Sequence, residues 1–331
     1  MNFKRISTLL LIVLLLISIS ISSIMAQSIA DREKRKELLL GIGSQAGAYY
    51  YMAMVLQPIL ESHDYIVGTR PGGDFSNIQG LQNGELDFGW AVSYSPELAM
   101  QGELFQTPGV KYDKLRFVAS FYDTYLHFMV RADSDIETLA DLEGKRIGVG
   151  TQQQQQTYTF PIILDYYDLS YEKIEEAGGT IAYVGNQDGV QMLQDGTLDF
   201  YLLIAGYPSA LPMAADQAIG IKLISLSDEI ADAINNEVAS LQKTIIPKGT
   251  YSGVTEDVIA LKSPYILMTN EDVSEDIVYK MCAAIYDDKS IWDDVVKGYP
   301  TGINIDRALE AYVIPMHPGA EKYYREKGLI D

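Results

Sequence analysis

At 331 residues, with 47% hydrophobic and 21% charged side chains, the chain has the makeup of a folded protein with room for two domains. A formal charge of −20 excludes a basic surface that tracks nucleic-acid phosphates. Cys282 is the lone cysteine, which excludes an internal disulfide framework, and no His or Cys pair stands at metal-ligand spacing.

The chain opens on Lys4 and Arg5, then an apolar run from Leu9 to Ile17 and a Ser/Ile alternation ending at Met25-Ala26. That order of basic, apolar and small residues reads as a secretory signal over residues 1–26, with Ala26 the last residue before the cut. Ile24, three before it, is bulkier than the favoured alanine, so a retained anchor stays open. Cleavage removes only two positive charges and takes the formal charge to −22. No later stretch approaches the roughly 20 apolar residues that span a bilayer, so the expected location is extracytoplasmic, in the periplasm. Residues 27–36 (QSIADREKRK) are charged and read as a loose leader.

From Leu38 the grammar is strand and helix in alternation. Leu38 to Ile42 is a buried strand, Gly43-Ser44-Gln45-Ala46-Gly47 a small-residue turn, and a helix begins at Tyr49. A helix start presents unpaired N–H groups and a positive dipole end, a seat for an anionic or polar group; the glycines alternatively do no more than turn the chain. Tyr65 to Thr69 is a short strand, Arg70-Pro71-Gly72-Gly73-Asp74 a second break, Ser76 to Gln82 a helix closed by Asn83-Gly84, and Leu86 to Val92 a strand ending at Ser93. This predicts an α/β fold with a parallel sheet, whose ligands bind beyond the carboxyl ends of the strands.

Leu115 to Val130 is a long strand, followed by a polar helix start at Asp135 to Asp141 and a new strand ending at Gly150. Here the pattern repeats. Gly43-Ser44-Gln45 returns as Gly150-Thr151-Gln152, and Leu81-Gln82-Asn83-Gly84-Glu85-Leu86-Asp87-Phe88 as Leu193-Gln194-Asp195-Gly196-Thr197-Leu198-Asp199-Phe200, in the same order and at nearly the same spacing. A duplicated unit predicts two facing lobes: residues 27–126 plus about 258–331, and residues 127–257. Phe117 to Val130 and Val258 to Met268 are then paired crossover strands that act as the hinge of a protein closing on its ligand.

Candidate contacts follow from the strand ends. In the first lobe, Gly43, Ser44, Gln45 and Ala46 offer backbone and hydroxyl donors to a carboxylate. Tyr49 either walls the pocket or belongs to the core. Gly73, Asp74 and Asn77 line the next loop; Asp74 either accepts from a ligand ammonium or hydroxyl or caps its helix, and Asn77 is a second cap candidate. Arg70 is either a bidentate carboxylate clamp or a solvent-facing side chain. Ser93 and Tyr94 end the third strand. In the second lobe Thr151, Gln152, Gln153 and Thr157 occupy the matching loop, and Gly206 and Tyr207 match Ser93; Tyr207 either stacks on ligand or packs on Pro208.

The stretches GIGSQAGAYYY (41–51), GGDFSNIQGLQNGELDFG (72–89), ADLEGKRIGVG (140–150), AGYPSA (205–210) and HPGAEKYYREKGL (317–329) resemble the TAXI family of TRAP-transporter solute-binding proteins. The resemblance implies a two-lobed, type II-like periplasmic-binding-protein fold and a monomeric receptor without cofactor. It further implies that the receptor hands a small organic solute, an amino acid or dicarboxylate, to a TRAP membrane subunit of fused type. The chain departs from that pattern at Asp74, where the family has Ser, at Val92, where Gln is common, and at Gln152 to Gln156, which replace a Gly-Ser-Gly-Thr-like loop. The glutamate ligand is therefore not carried over. A ligand sensor serving a signalling partner remains the alternative. A dinucleotide enzyme, suggested by Gly41-x-Gly43-x-x-Ala46, is disfavoured by the export signal.

Overall fold

The computed structural model describes residues 28–43, 48–104, 106–152, 154–295 and 302–331. The signal segment 1–26 and the residues Ser44, Gln45, Ala46 and Gln153 lie outside them.

In chain order the helices and strands are α1 (Ile29–Lys34), β1 (Glu37–Ile42), α2 (Ala48–Ser62), β2 (Ile66–Pro71), α3 (Asp74–Gln82), β3 (Phe88–Val92), α4 (Tyr94–Gln101) and β4 (Leu115–Arg131). The second unit holds β5 (Arg146–Val149), α5 (Gln156–Asp165), α6 (Tyr171–Glu176), β6 (Thr180–Tyr183), α7 (Asn186–Gln194), β7 (Phe200–Ala205), α8 (Ala210–Ile219), β8 (Ile221–Leu223), α9 (Asp228–Glu237) and β9 (Gln242–Ile246). The chain closes with β10 (Val258–Asn270), α10 (Glu275–Tyr286) and α11 (Pro318–Glu326).

The strands form one sheet in the order β2-β1-β3-β10-β4-β7-β5-β6, with β8 beside β4 and β9 beside β10. β1 lies parallel to β2 and β3, and β5 parallel to β6 and β7, so each unit is a small parallel sheet closed by an antiparallel long strand. β4 pairs with β10 through Leu115 to Tyr125 and with β7 through Tyr125 to Val130. β10 pairs with β9 through Val258 to Lys262 and with β3 through Tyr265 to Thr269. Each long strand therefore belongs to both halves. This is the two-lobed α/β architecture with crossover strands that the repeat predicts.

The duplication is visible atom by atom. In the first lobe Asp87 N–H donates to Leu39 O (3.0 Å) and the Asp87 carboxylate accepts from Leu39 N (2.7 Å). In the second, Asp199 N–H donates to Arg146 O (2.8 Å) and the Asp199 carboxylate accepts from Arg146 N (2.9 Å). Gly84 and its counterpart Gly196 both turn the chain at φ +69, in the left-handed region that glycine enters at little cost. The repeated motif thus builds the lobes: it ends a helix, turns, and docks the next strand.

Side chains alternate across the strands as period-two geometry requires. Phe128, Phe200 and Leu202 enter the large core, while Met129, Tyr201 and Leu203 enter a second cluster on the opposite face of the second lobe. Phe160 of α5 stacks on Phe200 at 5.3 Å with rings nearly parallel. Cys282 is fully buried, and burial pushes its thiol pKa up, in keeping with an inert packing role. The closing motif is also packing: His317 Nδ1 caps α11 by accepting from Gly319 N (3.1 Å), and Tyr324 Oη donates to Val118 O on β4 (2.6 Å).

Two expectations are corrected. Residues 29–34 are not a loose leader: they form α1, Ile29 is buried, and Arg32 makes a bidentate pair with Asp87 (2.8 and 2.9 Å). The polar segment after β4 forms a single 3₁₀ turn at Leu139–Leu142, started by Thr138 and Asp141 as a capping box, in place of a helix from Asp135.

Candidate functional site

The described residues picked out by the sequence lie at or just beyond the ends of the strands in each lobe. In the first lobe the centre is Asp74. Gly73 precedes it at φ +146, ψ −174, a conformation open essentially to glycine alone. The carboxylate accepts from Tyr49 Oη on Oδ1 (2.6 Å) and from Val92 N (3.0 Å) and Ser95 Oγ (2.7 Å) on Oδ2. It is 1% exposed, and burial raises its pKa from 3.8 to about 6, against the opposing pull of those donors.

Around this hub Tyr49 lies edge-on to Tyr265 (5.2 Å), and Tyr265 edge-on to Tyr122 (5.3 Å). A Cβ on Gly43 would come 3.2 Å from the Tyr49 ring, so the glycine lets β1 end against that ring. Asn77 is buried one turn into α3 and caps nothing: its Nδ2 donates to Gly41 O (3.1 Å) and Trp90 O (2.8 Å), sewing the helix to β1 and β3. Ser93 Oγ meets Ser263 Oγ of the crossover strand β10 at 2.8 Å, and Tyr94 is fully buried behind it. Arg70 takes a different partner from the one the clamp reading needs. Its guanidinium lies over Gly80, where a Cβ would come 2.0 Å from Nη2, and pairs with Glu85 (2.9 Å).

In the second lobe Thr157 Oγ1 donates to Gly150 O (2.9 Å) and Thr151 O (2.8 Å), closing the loop that opens α5, while Thr151 N donates to Gln154 Oε1 (2.8 Å). Gln152 is exposed, and its carbonyl accepts from Gln106 Nε2 (3.4 Å), which follows α4 in the first lobe. Gly206 is buried; Tyr207 packs edge-on to Tyr125 (4.3 Å) rather than standing free. The turn is held by Tyr251 Oη, which accepts from Ser209 N (3.2 Å) and meets His127 Nε2 (3.0 Å). His127 Nδ1 faces Tyr125 O (3.0 Å), which fixes the proton on Nδ1 and makes Nε2 the acceptor; burial lowers this imidazole's pKa to about 4 and keeps it neutral.

Three contacts that the sequence reading did not single out join the lobes or brace the hinge. Tyr158 Oη of α5 lies 2.9 Å from Ser95 Oγ of α4; since Ser95 donates to Asp74, Tyr158 is the donor. Glu97 of α4 accepts from Ser240 N (3.3 Å) and from the Ser240 hydroxyl. Asp123 on β4, fully buried, takes Lys262 of β10 (3.0 Å) and Arg307 (3.0 Å). An acid within Phe117–Val130 and a lysine within Val258–Met268 were the available signals, because a charge in an apolar strand needs a partner. Ser95 and Tyr158 carried none.

The arrangement can bind and enclose, through carboxylate, hydroxyl and carboxamide groups from both lobes. Among the described residues no group of three or more His, Cys, Asp and Glu could hold a metal ion, and no helix is long and apolar enough to cross a membrane.

Among solved structures, XAC2383 from Xanthomonas citri bound to ATP superposes with a TM-score of 0.52 at 11% identity, over 88% of this chain and 95% of that one. The same protein bound to chloride ion gives 0.52 at 12% identity over the same shares. The periplasmic aliphatic sulphonate binding protein SsuA from Escherichia coli gives 0.46 at 13% identity, over 88% of this chain and 78% of that one. The likeness to XAC2383, at 11% and 12% identity, is one of fold. The sequence model of the NMT1-like family matches residues 40–328, from the first strand through the closing helix, and the chain belongs to that family.

Proposed function

We propose that the protein is an extracytoplasmic solute receptor that captures a small organic acid or amino acid between two closing lobes, residues 27–126 plus about 258–331 and residues 127–257, and delivers it to a TRAP membrane subunit of fused type. The observation that carries this reading is the meeting of the two lobes' strand ends over the crossover strands, where Tyr158 of α5 donates to Ser95 of α4. In a two-lobed sheet whose long strands serve both halves, rotation about those strands opens and closes this junction. A solute that touches both faces favours the closed form. The TAXI likeness of the strand-end stretches supports the TRAP partner, and the export signal supports the location. The protein then acts by binding, not by catalysis.

A melting-temperature screen against amino acids, 2-oxo acids and dicarboxylates tests the reading, since a ligand bound only by the native state raises the midpoint by mass action. A shift with one chemical class, confirmed by calorimetry, is the expected result. A folded protein whose midpoint responds to none of them refutes it.

A further inference from the structure

We propose that the solute carries a cationic nitrogen and that Asp74, with Ser95 above it, is the group that selects it; the proposal rests on the receptor reading and narrows it.

The first observation is a comparison within the molecule. The two lobes place equivalent hubs at matching points of the repeat: Asp74 opens α3 after Gly73, and Asn186 opens α7 after Gly185. In the first lobe Tyr49, in the first turn of α2, donates to Asp74 (2.6 Å); in the second Gln156, the first residue of α5, donates to Asn186 Oδ1 (2.7 Å), joined there by Tyr201 Oη (3.1 Å). The same architectural task, tying one helix start to the next, is met by a neutral amide in one lobe and a carboxylate in the other. The fold therefore does not require the charge, and burying a charge that is not needed costs stability.

The second observation is what surrounds that charge. Asp74 makes no ion pair among the described residues; its donors are neutral hydroxyl and backbone N–H groups, among them Tyr49 Oη, Ser95 Oγ and Val92 N. The basic side chain nearest in sequence, Arg70, is paired with Glu85 instead. The walls are the rings of Tyr49 and Tyr265, with Tyr94 and Tyr158 edge-on to one another at 6.3 Å beside Ser95. A carboxylate balanced only by neutral donors and ringed by electron-rich aromatic faces is complementary to an organic cation. Burial raises its pKa to about 6.

The third is access. Lobe opening withdraws Tyr158 and leaves Ser95 Oγ and the Asp74 carboxylate as the polar surface of the first lobe. A solute ammonium then takes the position of the Tyr158 hydroxyl, donating to Ser95 Oγ and to Asp74, and closure brings the tyrosine rings around it.

The test is calorimetry at pH 7.5 on matched probes: amino acids against the 2-oxo and 2-hydroxy acids that differ only in the nitrogen, with choline and putrescine as cations lacking a carboxylate. Wild type and Asp74→Asn are compared. The expected result is that the nitrogen-bearing member of a pair binds at least ten-fold more tightly, and that Asp74→Asn removes that preference while circular dichroism stays unchanged. Equal or tighter binding of the oxo or hydroxy acid overturns the selection by Asp74 and leaves the receptor reading standing. Binding of none of the probes to folded wild type overturns both. If Asp74→Asn does not fold, the wild-type pairs decide alone.

Discussion

Asp74→Asn also makes a prediction about stability that needs no ligand. The substitution keeps the hub's shape: the amide oxygen placed at Oδ2 still accepts from Val92 N and Ser95 Oγ, and the amide nitrogen at Oδ1 donates to Tyr49 Oη, whose hydroxyl rotates to accept. What it removes is titration. In the native protein this carboxyl has a pKa of about 6 against 3.8 for the free group, so the folded state holds a proton that the unfolded chain has released. A raised acid contributes its stabilisation below the unfolded value and loses it as pH climbs through the folded one. Stability of the wild type therefore falls on this account between about pH 4 and 6. The full change is about 3 kcal/mol at about 1.4 kcal/mol for each unit, of which about 2 kcal/mol falls between pH 4.5 and 7.5. Urea unfolding of both proteins at steps across that range gives the difference directly. The gap should move in favour of the variant by that same amount, about 2 kcal/mol, as pH rises. Parallel stability curves would show that Asp74 is already ionised at pH 4.5 and would refute the account of it as a carboxyl whose pKa burial raises.

Three further outcomes follow from paired positions in the two lobes. Asp87→Ala strands the buried Arg32 guanidinium and Leu39 N–H and should cost about 3–5 kcal/mol in urea unfolding, whereas Asp199→Ala, opposite a half-exposed Arg146, should cost clearly less. Gly73→Ala forces a side chain into φ +146 and should cost about 1–3 kcal/mol, while Gly185→Ala, at φ −64 with open space around it, should be nearly neutral; equal losses would contradict the strain argument. Tyr158→Phe removes the hydrogen bond between α5 and α4, worth about 1 kcal/mol, and should shift ligand-free protein towards the open form. Small-angle scattering reads that shift as a larger radius of gyration, and an unchanged radius would show that this contact does not hold the lobes together.

The alternation of strands and helices was legible because glycine breaks and capped turns punctuate it, and the repeat announced two lobes because the same turn chemistry recurs at Gly84 and Gly196. The long strands stood out because a run such as Leu115–Val130 has no other fold to adopt in a two-lobed sheet. What stayed hidden depends on partners far away in sequence. Arg32 looked like one charge in a solvated leader, and only the distant Asp87 makes it a buried anchor. Asp74 read equally well as a helix cap, and its bonds to Val92 N–H and Ser95 depend on residues 18 and 21 positions away. Arg70 kept the chemistry of a clamp, and its pairing with Glu85 beside Gly80 depends on residues 10 to 15 positions away. Tyr158 is one tyrosine among 23, and nothing local separates it from a core residue.

If the lobes close as proposed, the interruptions in the two long strands suggest that the junction between α4 and α5, and not the charged cluster, governs closure. On one edge of β4, Ser120 N donates to Ala308 O in the first lobe, and Tyr125 pairs with Ala205 in the second. Between them lies the stretch where that edge changes partners. On the other edge, β10 shows a register shift between Pro264 and Ile266, opposite Asp123 to Ser120, and Pro264 has no N–H to lend to the ladder. Both long strands thus have an interrupted ladder near the same residues, which is where the proposed receptor reading puts the bend. Asp123, Lys262 and Arg307 sit at that point, on β4, β10 and the segment leading to α11. On the proposed reading, groups at that point would move little as the lobes turn, so these ion pairs should be kept in both forms. Ser95 and Tyr158 lie off the axis on helices that separate. Their hydrogen bond closes the ligand-free form, and a solute that takes the place of the Tyr158 hydroxyl favours closure only through its own contacts to both lobes.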